Sequence, residues 1–199
     1  MPVCSCAHMN GADVISGKVI GLRAVEEADL PLLHLWANDP EIWYNLGGWR
    51  FPSNFNSIRE WQAGLHKDQL NHRWAIERLD DHQLIGTANL VNLDWKNRNA
   101  FHGMMLGPMD LRGKGFGIDT VMTVMRYAFD ELQLERLDGD IIEYNEASLR
   151  LYVGRCGWKE EGRLRRWHFR KGRYWDKIVV GVTRDDYVEV ASKSGYWVT

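Results

Sequence analysis

An α+β domain built on a mostly antiparallel sheet is the fold class this sequence predicts, and three observations carry that expectation. Residues 73–78, 83–94 and 99–106 read as strands separated only by the polar turns Asp80-Asp81 and Lys96-Asn97-Arg98, and strands joined this closely pair antiparallel. Residues 158–170 and 173–182 read as a second, longer hairpin turning at Lys171-Gly172. Between them the pattern changes to a glycine-rich loop, Leu111-Arg112-Gly113-Lys114-Gly115-Phe116-Gly117, followed by Val121, Met122, Met125, Ala128, Phe129 and Leu132 at helical spacing.

The remaining elements follow in order. Residues 1–17 read as a flexible tail and 18–199 as a single domain, since no repeat or linker divides the 199-residue chain. Cys4, Cys6 and His8 match no zinc spacing and lack a fourth ligand, so no metal site is expected. Residues 18–23 read as a strand. A helix over 28–37 follows, with Leu30, Leu33 and Trp36 on one face and acidic residues in its first turn, where the helix dipole favours them. Asp39-Pro40, Gly47-Gly48 and Phe51-Pro52 make 38–57 irregular, although it is rich in rings. A helix over 57–70, a strand over 136–142, a helix over 146–155 and a short last segment at 187–190 complete about seven strands and about four helices.

Composition narrows the function. With 45% apolar and 12% aromatic residues the chain can build a sizeable core, which excludes a disordered or collagenous protein. Twenty-seven acidic residues against 25 basic ones give a net charge of −2, without the basic excess of a general nucleic-acid binder. No apolar run approaches the ~18 residues of a membrane span. Residues 1–10 lack the pattern of a signal peptide, and three cysteines make no even disulfide framework, so a cytoplasmic setting is expected.

A glycine-rich loop opening a helix is a phosphate-binding arrangement. Backbone without Cβ atoms approaches an anion closely, and the unpaired N–H groups of the first helical turn point at it. Arg112 and Lys114 add positive charge. The loop is not a Walker A motif, because Gly115 rather than Ser or Thr follows Lys114, and its glycine spacing departs from the dinucleotide fingerprint.

Arg112-x-x-Gly115-x-Gly117 resembles the R/Q-x-x-G-x-G/A loop of the GNAT superfamily of N-acetyltransferases. Leu22-Arg23 with Asp29-Leu30, Leu84-Ile85-Gly86, Asn145-x-x-Ser148, Gly157-Trp158 with Glu161-Gly162, and Gly172-Arg173-Tyr174 with Asp176 are similar, in order, to segments of its ribosomal-protein and spermidine acetyltransferase branch. The resemblance spans about residues 18–182. It implies a mixed, mostly antiparallel sheet splayed between its fourth and fifth strands, acetyl-CoA as cofactor, a small-molecule amine as partner, and the homodimeric state that many relatives adopt.

The resemblance also implies roles. Arg112, Gly113, Lys114, Gly115, Phe116, Gly117 and Ile118 would hold the pyrophosphate, and Met104, Met105 and Leu106 would line the pantetheine path, with Asn145, Ser148 and Tyr152 beside it. Tyr152, seven residues after Asn145, would donate a proton to sulfur; counted back from Gly157, Val153 falls in that place instead. Many relatives carry a glutamate where this chain has Phe101. His102, Glu143 or a water chain then remain as the base, although strand alternation sends Phe101 and His102 to opposite faces. Trp36, Trp43, Tyr44, Trp49 and Trp167 are candidates for the acceptor pocket, by stacking on a sugar or clasping an ammonium, or are core. The expected activity is acetyl transfer to the primary amine of a small metabolite such as an amino sugar, free or nucleotide-linked. A protein N-terminal acetyltransferase and a non-catalytic acyl-CoA-binding module are the alternatives.

Overall fold

The computed structural model describes residues 15–48, 51–107 and 109–197. Its strands are β1 (Ile15–Ser16), β2 (Ile20–Arg23), β3 (His72–Arg78), β4 (Leu84–Asp94), β5 (Asn99–Leu106), β6 (Arg136–Ile142), β7 (Lys159–Arg170) and β8 (Arg173–Thr183). They form one sheet in the order β1-β2-β3-β4-β5-β6-β8-β7. Every neighbouring pair is antiparallel except β5 and β6. The helices are α1 (Leu30–Ala37), α2 (Pro40–Trp43), α3 (Phe55–Gly64), α4 (Phe116–Arg126), α5 (Glu146–Arg155) and α6 (Arg184–Ser194).

Several boundaries differ from expectation for local reasons. Ile15 and Ser16 pair with Leu22 and Gly21, so the expected tail to residue 17 ends earlier; Cys4, Cys6 and His8 lie outside the described residues. The expected helix over 57–70 starts earlier, at Phe55, because the Asn54 side chain caps it by accepting from the Ser57 N–H at 3.0 Å. It gives way to a 3-10 turn over Leu65–Lys67. The segment at 187–190 belongs to the helix α6, which opens on a capping box between Thr183 and Asp186 and stops at Gly195, in the left-handed region that suits glycine.

Two apolar layers sandwich the sheet. On one face Val121, Met122 and Met125 of α4 pack with Ile85, Leu90 and Leu137 of the strands. On the other, Leu30, Leu33 and Trp36 of α1 pack with Ala75 and Leu84, flanked by Ile58 and Trp61 of α3. Strand alternation deals β5 between the two layers: Met104 and Leu106 join the first, Met105 the second.

A buried carboxylate ties the start of the sheet to α4. Asp119, 1% exposed, accepts from the N–H groups of Lys18, Val19 and Ile20 at 2.7–3.0 Å and from the Tyr196 hydroxyl at 2.7 Å. Asp119→Ala takes the acceptor from the buried Ile20 N–H and the half-buried Tyr196 hydroxyl, each costing about 1–3 kcal/mol, while the N–H groups of the exposed Lys18 and Val19 turn to water. The variant is expected to lose about 3 kcal/mol or more of stability in urea unfolding.

Candidate active site

β5 and β6 stay paired for only three residues, Asn99 with Arg136, Ala100 with Leu137 and Phe101 with Asp138. Beyond that point they separate, while β5 keeps its register with β4 as far as Leu106. Three rings fill the space where they part: His102 of β5, Tyr152 of α5 and Trp158 lie 5.0–6.0 Å apart between centroids. The Trp158 indole is held by donating to Met125 Sδ at 3.2 Å.

His102 is 2% exposed, and both its nitrogens are engaged. Nδ1 lies 2.8 Å from the Asn89 carbonyl, which can only accept, so Nδ1 carries the proton and Nε2 presents a lone pair. The Tyr152 hydroxyl sits 3.2 Å from Nε2 and therefore donates to it. Burial pushes the His102 pKa down to about 4 and raises that of Tyr152 far above the ordinary phenol range. Both groups are neutral near pH 7.

A cavity of about 560 Å³ opens at the gap. Its walls include Met104, Met105, His102, Ser148 and Tyr152, with Asn45, Ser53, Ser57, Trp61, Arg73, Asn89 and Asp140 across from them. Asn145, also in the wall, caps α5 by accepting from the Ser148 N–H at 3.1 Å, and its amide donates to the Asn45 carbonyl at 3.1 Å. Asn89 Oδ1 accepts from the Gly103 N–H at 3.0 Å, so an extra acceptor engages β5 beside the gap.

The glycine loop lies nearby. Gly113 and Gly115 have φ of +77° and +92°, and a Cβ at either would meet nothing within 4 Å, so their positions face open space. Gly115 starts α4, leaving the first-turn amides of Phe116, Gly117 and Ile118 directed outward. A Cβ at Gly117 would come 3.2 Å from Leu151 and 3.6 Å from Met104, so the loop abuts the gap between the strands. Arg112 and Lys114 are exposed, without an ion-pair partner among the described residues. This cradle fits a diphosphate.

Residues 20–159 match the model of the acetyltransferase (GNAT) domain. The chain belongs to the GNAT family. It is 32% identical over 174 residues to an uncharacterized N-acetyltransferase from the SPbeta prophage of Bacillus subtilis (strain 168), covering 86% of this chain and 94% of that one. It is 28% identical over 170 residues to the spermidine N(1)-acetyltransferase of Vibrio cholerae, covering 84% and 94%. A crystal structure of the V. cholerae spermidine N-acetyltransferase with CoA and spermine superposes with a TM-score of 0.78 at 25% identity, over 85% of this chain and 98% of that one. The GNAT chain described here is an acetyl-CoA-dependent N-acetyltransferase with the family's mixed sheet.

The structure brings some expected site residues together and separates others. Tyr152 and His102 meet; Val153, the other candidate for the tyrosine's place, is 39% exposed and does not line the cavity. Glu143 does not line it either: its carboxylate accepts from the Asp176 N–H at 3.0 Å and faces Arg163 at 3.3 Å. Trp36 is buried in the core against Gly107, where a Cβ would collide with its ring. Trp43 is half-buried and outside the cavity wall. Tyr44 stacks on Tyr144 at 4.6 Å, with the Lys171 ammonium on its ring at 4.2 Å. Trp167 is exposed at a bulge of the β7–β8 hairpin, under Lys177 at 4.5 Å. Trp49 lies outside the described residues. Trp61, Arg73, Asn89 and Asp140 were missed. The register that sets Arg73, Asn89 and Gly103 side by side is the cue for Arg73 and Asn89; Trp61 on α3 and Asp140 on β6 carry no such signal.

Stability should depend on pH through His102. Between about pH 6.5 and 4 the unfolded chain protonates this imidazole and the folded one does not, so stability falls as pH drops through that window. The loss is about 3 kcal/mol by pH 4. In denaturant titrations at pH 7 and 4.5, His102→Gln should flatten this dependence.

Proposed function

We propose that the acceptor is the primary amine of a compact, polar small molecule of the amino-sugar kind, acetylated by direct transfer within a ternary complex in the cytoplasm. The observation that carries this reading is the cavity wall: hydroxyl and amide groups of Asn45, Ser53, Ser57, Thr87 and Asn89 beside the ring of Trp61 suit a polyhydroxylated ligand. Acetyl-CoA, when bound, supplies an acetyl group activated as a thioester. The amides of 113–118 with Arg112 and Lys114 hold its diphosphate, and Met104 and Met105 of β5 line the way to the gap.

Tyr152 is the proposed proton donor to the departing sulfur. Its raised pKa keeps Oη protonated, and His102 Nε2 fixes the direction of the hydroxyl until it turns toward the gap. His102 is then a positioning residue rather than the base, since a group with a pKa of about 4 removes a proton from an ammonium poorly. With Phe101 facing the cavity, water carries that proton away. No cysteine among the described residues lines the cavity to carry an acetyl group. Cys156 is buried, its thiol pushed up to about 12.

A polyamine acceptor is the second reading, favoured by the similarity to the V. cholerae enzyme. Against it stands the charge of the wall. Its carboxylate, Asp140, is already paired with Lys177 at 2.7 Å, so little free negative charge remains for several ammonium groups.

Thiol release from acetyl-CoA, followed across amino sugars, spermidine and short peptides, tests the reading. Turnover confined to amino sugars and similar compact amines supports it, turnover confined to spermidine replaces it with the second reading, and turnover of peptides alone points to a protein N-terminus. Tyr152→Phe is expected to lower kcat about ten- to hundredfold while coenzyme A affinity by calorimetry stays within about twofold. Gly115→Glu places a strained side chain and a carboxylate against the diphosphate and should abolish measurable coenzyme binding while the thermal melt stays cooperative.

A further inference from the structure

Arg73 stands out in the acceptor cavity. It lies on β3 directly opposite Asn89 of β4, which lies opposite Gly103 of β5, so the three share one face of the sheet in a row ending at the gap. Two strand spacings, about 10 Å, separate the Arg73 backbone from that of Gly103. Its side chain lines the cavity, is half-buried, and has neither a hydrogen bond nor an ion pair among the described residues. Asp68 acts on it only at a distance; its own oxygens accept from the Leu70 N–H and the Asn71 amide. The cavity's Asp140 is held by Lys177.

A guanidinium withdrawn from water without a partner is unfavourable, and its pKa is lowered by that burial. The matching partner is a planar or tetrahedral oxyanion, which the guanidinium binds in a fork. Resting on the small-molecule reading above, we infer that Arg73 binds an anionic group of the acceptor, so that the substrate is an amine that also carries a carboxylate or a phosphate. Asn89 fixes the β5 edge at one end of the row and Arg73 anchors the acceptor at the other. An amine on the same molecule is then directed to the gap beside Tyr152. A polyamine has no group for this arginine and is repelled by it.

The test uses matched pairs of amines differing only in the anionic group: glucosamine and glucosamine 6-phosphate, and a set of α-amino acids with their decarboxylated amines. The ratio of kcat/KM within each pair is the readout, by thiol release. The wild-type protein is expected to favour the anionic member of at least one set about ten- to hundredfold, mainly through KM. The set that shows the preference distinguishes phosphate from carboxylate. Arg73→Met should bring that ratio close to one, and Arg73→Lys should restore part of it, with circular dichroism melts showing both variants folded. Equal kcat/KM within every pair, or a preference that survives in Arg73→Met, overturns the inference while leaving the small-molecule reading intact. If no amine is turned over although coenzyme A binds, that reading fails. The same pairs are then compared by calorimetry with coenzyme A present, where equal affinity for both members overturns the role of Arg73 and tighter, Arg73-dependent binding of the anionic member supports it.

Discussion

The parting of β5 from β6 is the constraint on which the site depends. Parallel strands gain by pairing along their whole length, so a ladder that stops after Phe101 and Asp138 needs something to stop it. The rings of His102, Tyr152 and Trp158 supply the bulk beneath the fork. The short Gly139 permits their approach, since a Cβ there would meet Trp158 at 3.2 Å and the His102 carbonyl at 3.4 Å. The Asn89 side chain engages the Gly103 amide, which offsets the loss of a strand partner at the start of the gap.

The same wedge sets the chemistry. His102 has its tautomer dictated by the Asn89 carbonyl, and through Nε2 it orients the Tyr152 hydroxyl. Every polar atom of this small chain is satisfied, which is what lets two titratable side chains sit deep beside the core as neutral groups. With its proton fixed on Nδ1, the buried imidazole can only accept at Nε2, and the buried phenol donates to it. The acceptor side is built differently. Amides and hydroxyls from α3 and the segment before it face the opposite strands, and the charged groups there are the paired Asp140 and the unpaired Arg73.

Much of the architecture was legible in the chain. The antiparallel run over 73–106 followed from its short polar turns, and the glycine loop announced a sharp bend, because positive φ at Gly113 and Gly115 suits residues without a Cβ. The meeting of Tyr152 with His102 was not legible, although both were singled out separately, because it depends on how α5 lies against β5, 50 residues away in the chain. Aromatic content misled in the acceptor region. Trp36 fills the core and Tyr44 stacks on Tyr144, while Trp61, inside a helix of modest polarity, reaches the cavity. Arg73 could not be singled out without the register across three strands, since on β3 alone it is one more alternating polar residue.

A crystal structure of the complex with coenzyme A tests the central claim most directly. The account predicts the diphosphate within hydrogen-bonding distance of the amides of 113–118, the chain passing between β5 and β6 along Met104, and the sulfur beside the Tyr152 hydroxyl. A diphosphate bound elsewhere, with the fork between the strands left empty, would contradict it.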